Sequence, residues 1–172
     1  RHRINLASNY QLPFAQNMTS PLRHLLRGWE VGGIVVLQTG LPFTVTVPGS
    51  PSNTGSGSRA NPVVGVDPYP AERTLSQWFN PAAFTTPAAF TWGTLGRNTL
   101  RGAGIFNFDL SAGKKFRFTE SKELLFRAEF FNAFNHPQFG LPAGQIGVAT
   151  AGTVTSTQRS NRQIQFALRY AF

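Results

Sequence analysis

Five stretches of the chain alternate apolar and polar side chains with the period of two that belongs to a half-buried β-strand. In the first, Ile4, Leu6, Tyr10 and Leu12 share one face, interrupted by Ser8, and Arg3, Asn5, Asn9 and Gln11 share the other. The second runs from Trp29 to Phe43, with Val31, Val35 and Leu37 on the face of those two aromatics and Glu30 and Gln38 opposite. About 14 strand steps of 3.3 Å, tilted by 45°, would set Trp29 and Phe43 roughly 33 Å apart, the spacing of two aromatic girdles across a bilayer. The third sets Phe106, Phe108, Leu110 and Ala112 against Asn107, Asp109, Ser111 and Gly113. The fourth sets Leu124, Phe126, Ala128 and Phe130 against Leu125, Arg127, Glu129 and Phe131. The fifth is the most regular, with Ile164, Phe166, Leu168, Tyr170 and Phe172 against Gln163, Gln165, Ala167, Arg169 and Ala171.

The connections between these segments alternate in length. Only about Phe118–Ser121 separates the third from the fourth, whereas the second and third are separated by Val47–Gly104 and the fourth and fifth by Asn135–Asn161. Short periplasmic turns and long extracellular loops alternate in this way around an outer-membrane barrel. Pro13–Gly28, which the alternation assigns to a periplasmic turn, is longer than the type. A soluble sandwich would show the same period with its apolar face turned inward. Two readings therefore stand: an all-β, antiparallel transmembrane β-barrel, and a soluble basic β-sandwich acting as an adhesin or nucleic-acid-binding module. The longest loop is Gly/Ser/Pro-rich over Pro48–Ser58 and then carries Trp78, Phe79, Phe84, Phe90 and Trp92. Ordering a residue costs about 1–2 kcal/mol, which aromatic burial offsets and glycine and serine do not. The first half is thus predicted mobile, and the Trp78–Trp92 part ordered over the barrel mouth.

Composition sharpens the choice in two places. The 172 residues include 16 Phe, 17 Gly and 12 Pro but 1 Met and 0 Cys, a bias toward strands and turns with no disulfide framework. No run of roughly 18 apolar residues exists, which excludes a transmembrane helix; a barrel strand needs only about 9–11 alternating residues. The net charge of +9 comes from cations scattered singly rather than gathered in a stripe. Base stacking would need aromatics interleaved with Lys or Arg, and most strand Phe residues occupy the uncharged face. No nucleic-acid partner is predicted; scattered cations suit anionic headgroups or a lumen.

Candidate chemistry is sparse. His2, His24 and His136 stand at no metal-ligand spacing, and His136 lies in an Asn-His-Pro turn. Arg127 and Glu129 share a strand face without the second acid that paired-carboxylate catalysis requires, and are predicted to form a cross-strand ion pair. No catalytic residue, metal ligand or cofactor is predicted, and the chain is not expected to be an enzyme. A cation at the bilayer midplane costs about 2–4 kcal/mol, so Asp109, Arg127, Glu129 and Arg169 are expected to face the lumen, and the even-numbered faces of the fourth and fifth strands the lipid.

Four motifs carry a family resemblance from about Gly28 onward: WFNPAAF (Trp78–Phe84), LGRNTLRGAGIFNFDLSAGKKF (Leu95–Phe116), LLFRAEFFNAFNHPQFG (Leu124–Gly140) and RQIQFALRYAF (Arg162–Phe172). Together they resemble the C-terminal barrel of Oar-like TonB-dependent receptors. The resemblance implies a plugged barrel of about 22 strands in the bacterial outer membrane, energised by the TonB system, that takes up or binds a ligand at the surface. On this reading residues 1–172 are about five C-terminal strands of a larger barrel, with the plug, the TonB box and the other strands upstream. A start at Arg1 without Met or leader agrees with that expectation. The implied partners are outer-membrane lipid and lipopolysaccharide, the barrel-assembly machinery, and the TonB system through the missing N-terminal region. The resemblance further implies that Phe172 ends the parent protein and that Ile164, Phe166, Leu168, Tyr170 and Phe172 are its assembly signal. A passive porin-type barrel would use the same strands. Ligand-binding residues stay unassigned, because in the resembling receptors they lie on the plug and on variable loops.

Overall fold

A computed structural model of the chain describes residues 2–14, 17 and 19–172. Five long strands carry the alternation: β1 (Arg3–Gln11), β2 (Trp29–Gln38), β3 (Ile105–Arg117), β4 (Glu123–Phe131) and β5 (Gln163–Ala171). They pair in chain order as one open antiparallel sheet. Register keeps the two polarities apart. One row across all five strands reads Tyr10, Val31, Ala112, Ala128 and Phe166; the next reads Gln11, Glu30, Gly113, Arg127 and Ala167. Because side chains alternate strictly, a slip of one residue would exchange these faces along a whole strand.

Among the described residues no second sheet covers the apolar face. Leu6, Tyr10, Phe166 and Leu168 are each about 60–70 % exposed. Such a sheet is not half of a sandwich, which would cover these side chains with a second sheet. The buried hydrophobic cluster belongs entirely to a second compact unit, Thr39–Gly104 with Gln138–Gln158. There Phe79 is fully buried, with its ring centroid 5.8 Å from both Phe43 and Phe84. Val45, Val47, Ala60, Leu95, Leu100 and Ile146 close around it. Three antiparallel pairings of two-residue strands hold the unit: Pro42–Phe43 with Leu100–Arg101, Thr46–Val47 with Ser58–Arg59, and Asn61–Pro62 with Phe84–Thr85. The two loops interlace, since Thr46 bridges Gln145, Trp78 N donates to Gly152 O and Val154 N donates to Leu75 O.

Several expectations are corrected. The second strand stops at Gln38, and Phe43 is a buried core residue of the loop unit rather than the far girdle of that strand. Proline at 42 lacks a ladder N–H, and the Gly40 backbone packs so tightly that a Cβ there would lie 2.0 Å from Gly102 O. At the loop end of the apolar face the aromatics come instead from Phe106 and Phe108, whose rings lie 6.3 and 5.2 Å from Phe134. In the long loop, Trp78, Phe79 and Phe84 join the packed part, but Phe90 and Trp92 are exposed. The Gly/Ser-rich stretch ends inside the unit, with Ser58 buried and paired to Val47.

Two features had no counterpart in the expectations. A single helical turn, Arg23–Leu26, occupies the connection before β2. In addition, β3 runs on to Arg117, which brings Lys114 onto the apolar face opposite Trp29 and Phe126.

Candidate functional site

Two depressions among the described residues of the sheet open on its polar side. One, of about 370 Å³, crosses β1 to β4 and is lined by Asn9, Gly32, Asp109, Ser111, Arg127 and Glu129. Its floor depends on Gly32, where a Cβ would come within 2.4 Å of Asn9 Oδ1 and 2.7 Å of Ser111 Oγ. The second, of about 820 Å³, continues toward the short-turn end between Glu30, Lys115, Arg117 and Arg127. Cations outnumber acids there.

Three of the four charged residues singled out from the sequence meet in the first depression, each on the polar face of the sheet. Arg127 Nη2 lies 2.6 Å from Glu129 Oε1. This ion pair runs along β4 rather than across strands. Arg127 stands opposite Gly113 and Ala167, neither of which offers a charge, so the guanidinium turns along its own strand. The cross-strand partner of Glu129 is Gln165, whose side-chain amide donates to Glu129 Oε2. Arg127 stays more than half exposed beside its partner, so the pair contributes only about 0–1 kcal/mol and the guanidinium remains accessible to a solute.

Asp109 does structural work at the other end of the depression. Its Oδ1 accepts from Asn107 Nδ2 and from Asn132 N, both at 2.8 Å. Asn132, at φ 49°, then holds the turn after β4: its Nδ2 donates to His136 O and its Oδ1 accepts from His136 N. His136 therefore belongs to a turn, with its ring edge-on to Phe106 at 5.8 Å. Arg169 sits on the polar face of the edge strand β5, opposite Leu125 and apart from the depression.

The row Ile164, Phe166, Leu168, Tyr170 lies on the opposite, apolar face of β5 and is exposed throughout. Phe166 stacks on Phe126 at 6.3 Å and Tyr170 on Phe172 at 5.9 Å. Phe172 itself follows the last paired residue, Ala171, and is 92 % exposed. Among the described residues no group of three His, Cys, Asp or Glu side chains could hold a metal. No helix among them is long and apolar enough to cross a membrane.

Sequence reasoning missed one arrangement. Lys114 is 2 % exposed on the apolar face; its Nζ donates to Arg27 O at 2.8 Å and, closer still, to Leu25 O. The Trp29 indole N–H donates to the same Leu25 carbonyl at 2.9 Å. The local signals were present, with Ser20-Pro21 before the helical turn and Gly28 at φ 78° after it. What the alternation hid was a cation on the greasy side.

A family model described as an outer membrane beta barrel domain matches residues 1–165. No curated protein and no solved structure matches the chain. The matched span takes in all of β1 to β4 and the start of β5, the strands that build the two-faced sheet. An exposed apolar face backed by a charged polar one is what the wall of such a barrel requires. The protein is located in the outer membrane, and the chain belongs to the outer-membrane β-barrel domain family.

Proposed function

We propose that the five strands form part of the wall of a larger, plugged barrel that works as a TonB-dependent receptor, taking up a ligand or binding it at the cell surface. The observation that carries this reading is the separation of polarity over five strands. The uncovered apolar face meets lipid, and Arg127, Glu129, Asp109 and Arg169 stand on the face that becomes the lumen. The motifs from Trp78 to Phe172 that resemble Oar-like receptors support the receptor class within the barrel family. The accessible Arg127 guanidinium and the basic second depression suit passage or docking of polar, anionic groups, a binding and transport role rather than an enzymatic one. The row Ile164 to Phe172 is proposed as the strand that the barrel-assembly machinery reads, through an apolar pattern beside an unpaired backbone edge.

The test has two arms. Single cysteine probes at Phe126 and Leu168 should report lipid, and at Arg127 and Arg169 water; the reverse order would remove the barrel orientation. Ligand accumulation by cells should then fall to background when the TonB system is deleted. Unchanged uptake would favour a passive pore built from the same strands.

A further inference from the structure

The connection that enters β2 was too long for a periplasmic turn, and its geometry gives it a use. Lys114 projects from the apolar face, with Nζ 4.8 Å from the Phe116 ring centre and 5.5 Å from that of Trp29. An ammonium on a lipid-facing wall is costly unless it is hydrogen-bonded. Here it is satisfied by the carbonyls of Leu25 and Arg27, which end the helical turn Arg23–Leu26. Cations are favoured at that end of a helix, where carbonyls lack partners within it. Since Lys114 and Trp29 both bind the Leu25 carbonyl from the apolar side, that part of the turn is fastened to the outside of the wall, while Arg27 and Gly28 reach round the edge to line the second, polar-side depression. It lies at the end of the sheet that carries the tight Phe118–Lys122 turn, where Phe118 N donates to Lys122 O.

The exposed side chains of this turn match the headgroup boundary of a bilayer. Leu22, Leu25 and Leu26 are each about half exposed. Arg23 and Arg27 flank them, and no acidic residue occurs from Leu12 to Gly28. The apolar surface continues through Trp29 and its edge-on partner Phe126, 6.2 Å away, into the lipid-facing face of the sheet. We infer that the Arg23–Leu26 turn, clamped by Lys114, is an interfacial anchor that binds anionic phospholipid of the periplasmic leaflet, its leucines in the acyl boundary and Arg23 on a phosphate. This inference rests on the barrel orientation proposed above.

The experiment uses the complete barrel in phosphatidylcholine nanodiscs, with one cysteine introduced as Leu22→Cys and labelled with an environment-sensitive fluorophore. Nitroxide-labelled phosphatidylglycerol or nitroxide-labelled phosphatidylcholine is added at equal mole fraction, and a Leu168→Cys probe serves as the reference for the wall. Quenching at position 22 should be about twofold or more stronger with the anionic lipid, as expected for a basic group near a headgroup layer. Arg23→Gln should bring the ratio to about one while leaving quenching at position 168 and the heat-modifiable fold unchanged. Quenching at position 168 but none at 22 would overturn the anchor and leave the barrel standing. Equal quenching by the two lipids would overturn the anionic site, and no quenching at either position would remove the barrel orientation and the anchor with it.

Discussion

Gly93 sits where two stretches of backbone meet, so that a Cβ there would lie 1.7 Å from Arg59 O. Nothing flexible can move aside, because the obstacle is main chain. Gly93→Ala is therefore expected to weaken the loop unit by about 1–3 kcal/mol or more, seen as faster proteolysis between Thr39 and Gly104. A cleavage rate equal to that of the parent would show that the approach relaxes without cost. Asp109 offers a second test on the polar face. Asp109→Ala removes the acceptor shared by Asn107 and Asn132, and should cost about 1–3 kcal/mol and increase hydrogen exchange at Asn132. Such residues separate what the sequence displays from what it hides. The face taken by Asp109, Arg127, Glu129 or Arg169 was readable, because each strand residue declares its side by its own polarity. Their partners were not. That Arg127 faces Gly113 and Ala167, and so turns to Glu129, depends on register between strands far apart in the chain.

At the level of the strand, the five alternations carried over into five paired strands, with bounds shifted by a few residues. The departures arose where tertiary contacts overrode the local pattern. The alternation of β2 continues beyond Gln38, yet the close approach of Gly40 to Gly102 turns Phe43 into the core of the loop unit. The alternation of β3 continues through Lys114, because the carbonyls of Leu25 and Arg27 meet its charge. On β5 the two faces should respond oppositely to a new charge. Leu168→Arg puts a cation on the apolar face and should cost about 2–4 kcal/mol of folding free energy in a bilayer, whereas Ala167→Arg on the polar face should cost far less. Denaturant titration of the barrel in lipid vesicles measures both, and equal costs would mean that the two faces of β5 meet the same environment.

Across the molecule, apolar burial is divided unequally. The loop unit has a packed interior around Phe79, whereas the sheet leaves most of its apolar face exposed and, in the proposed barrel wall, would depend on lipid for burial. On transfer from detergent into plain buffer, protease should spare the segments around Phe79 and cut within β1, β4 and β5 with a loss of strand signal. A monodisperse, protease-resistant sheet in buffer would argue for a protein partner over that face. The interior of the loop unit was the least readable part of the sequence, since it draws on Val45, Ala60, Leu95 and Ile146, which share no periodic pattern. It also draws on two separate loops, tied by the Thr46 to Gln145 bridge and by the bonds from Trp78 to Gly152 and from Val154 to Leu75. Outer loops are ordinarily free to change one at a time. Here a chimera that imported residues 39–104 from a divergent barrel without residues 138–158 would lose the matching Ile146 and the strand contact of Gln145, so the two loops should be exchangeable only as a single cassette.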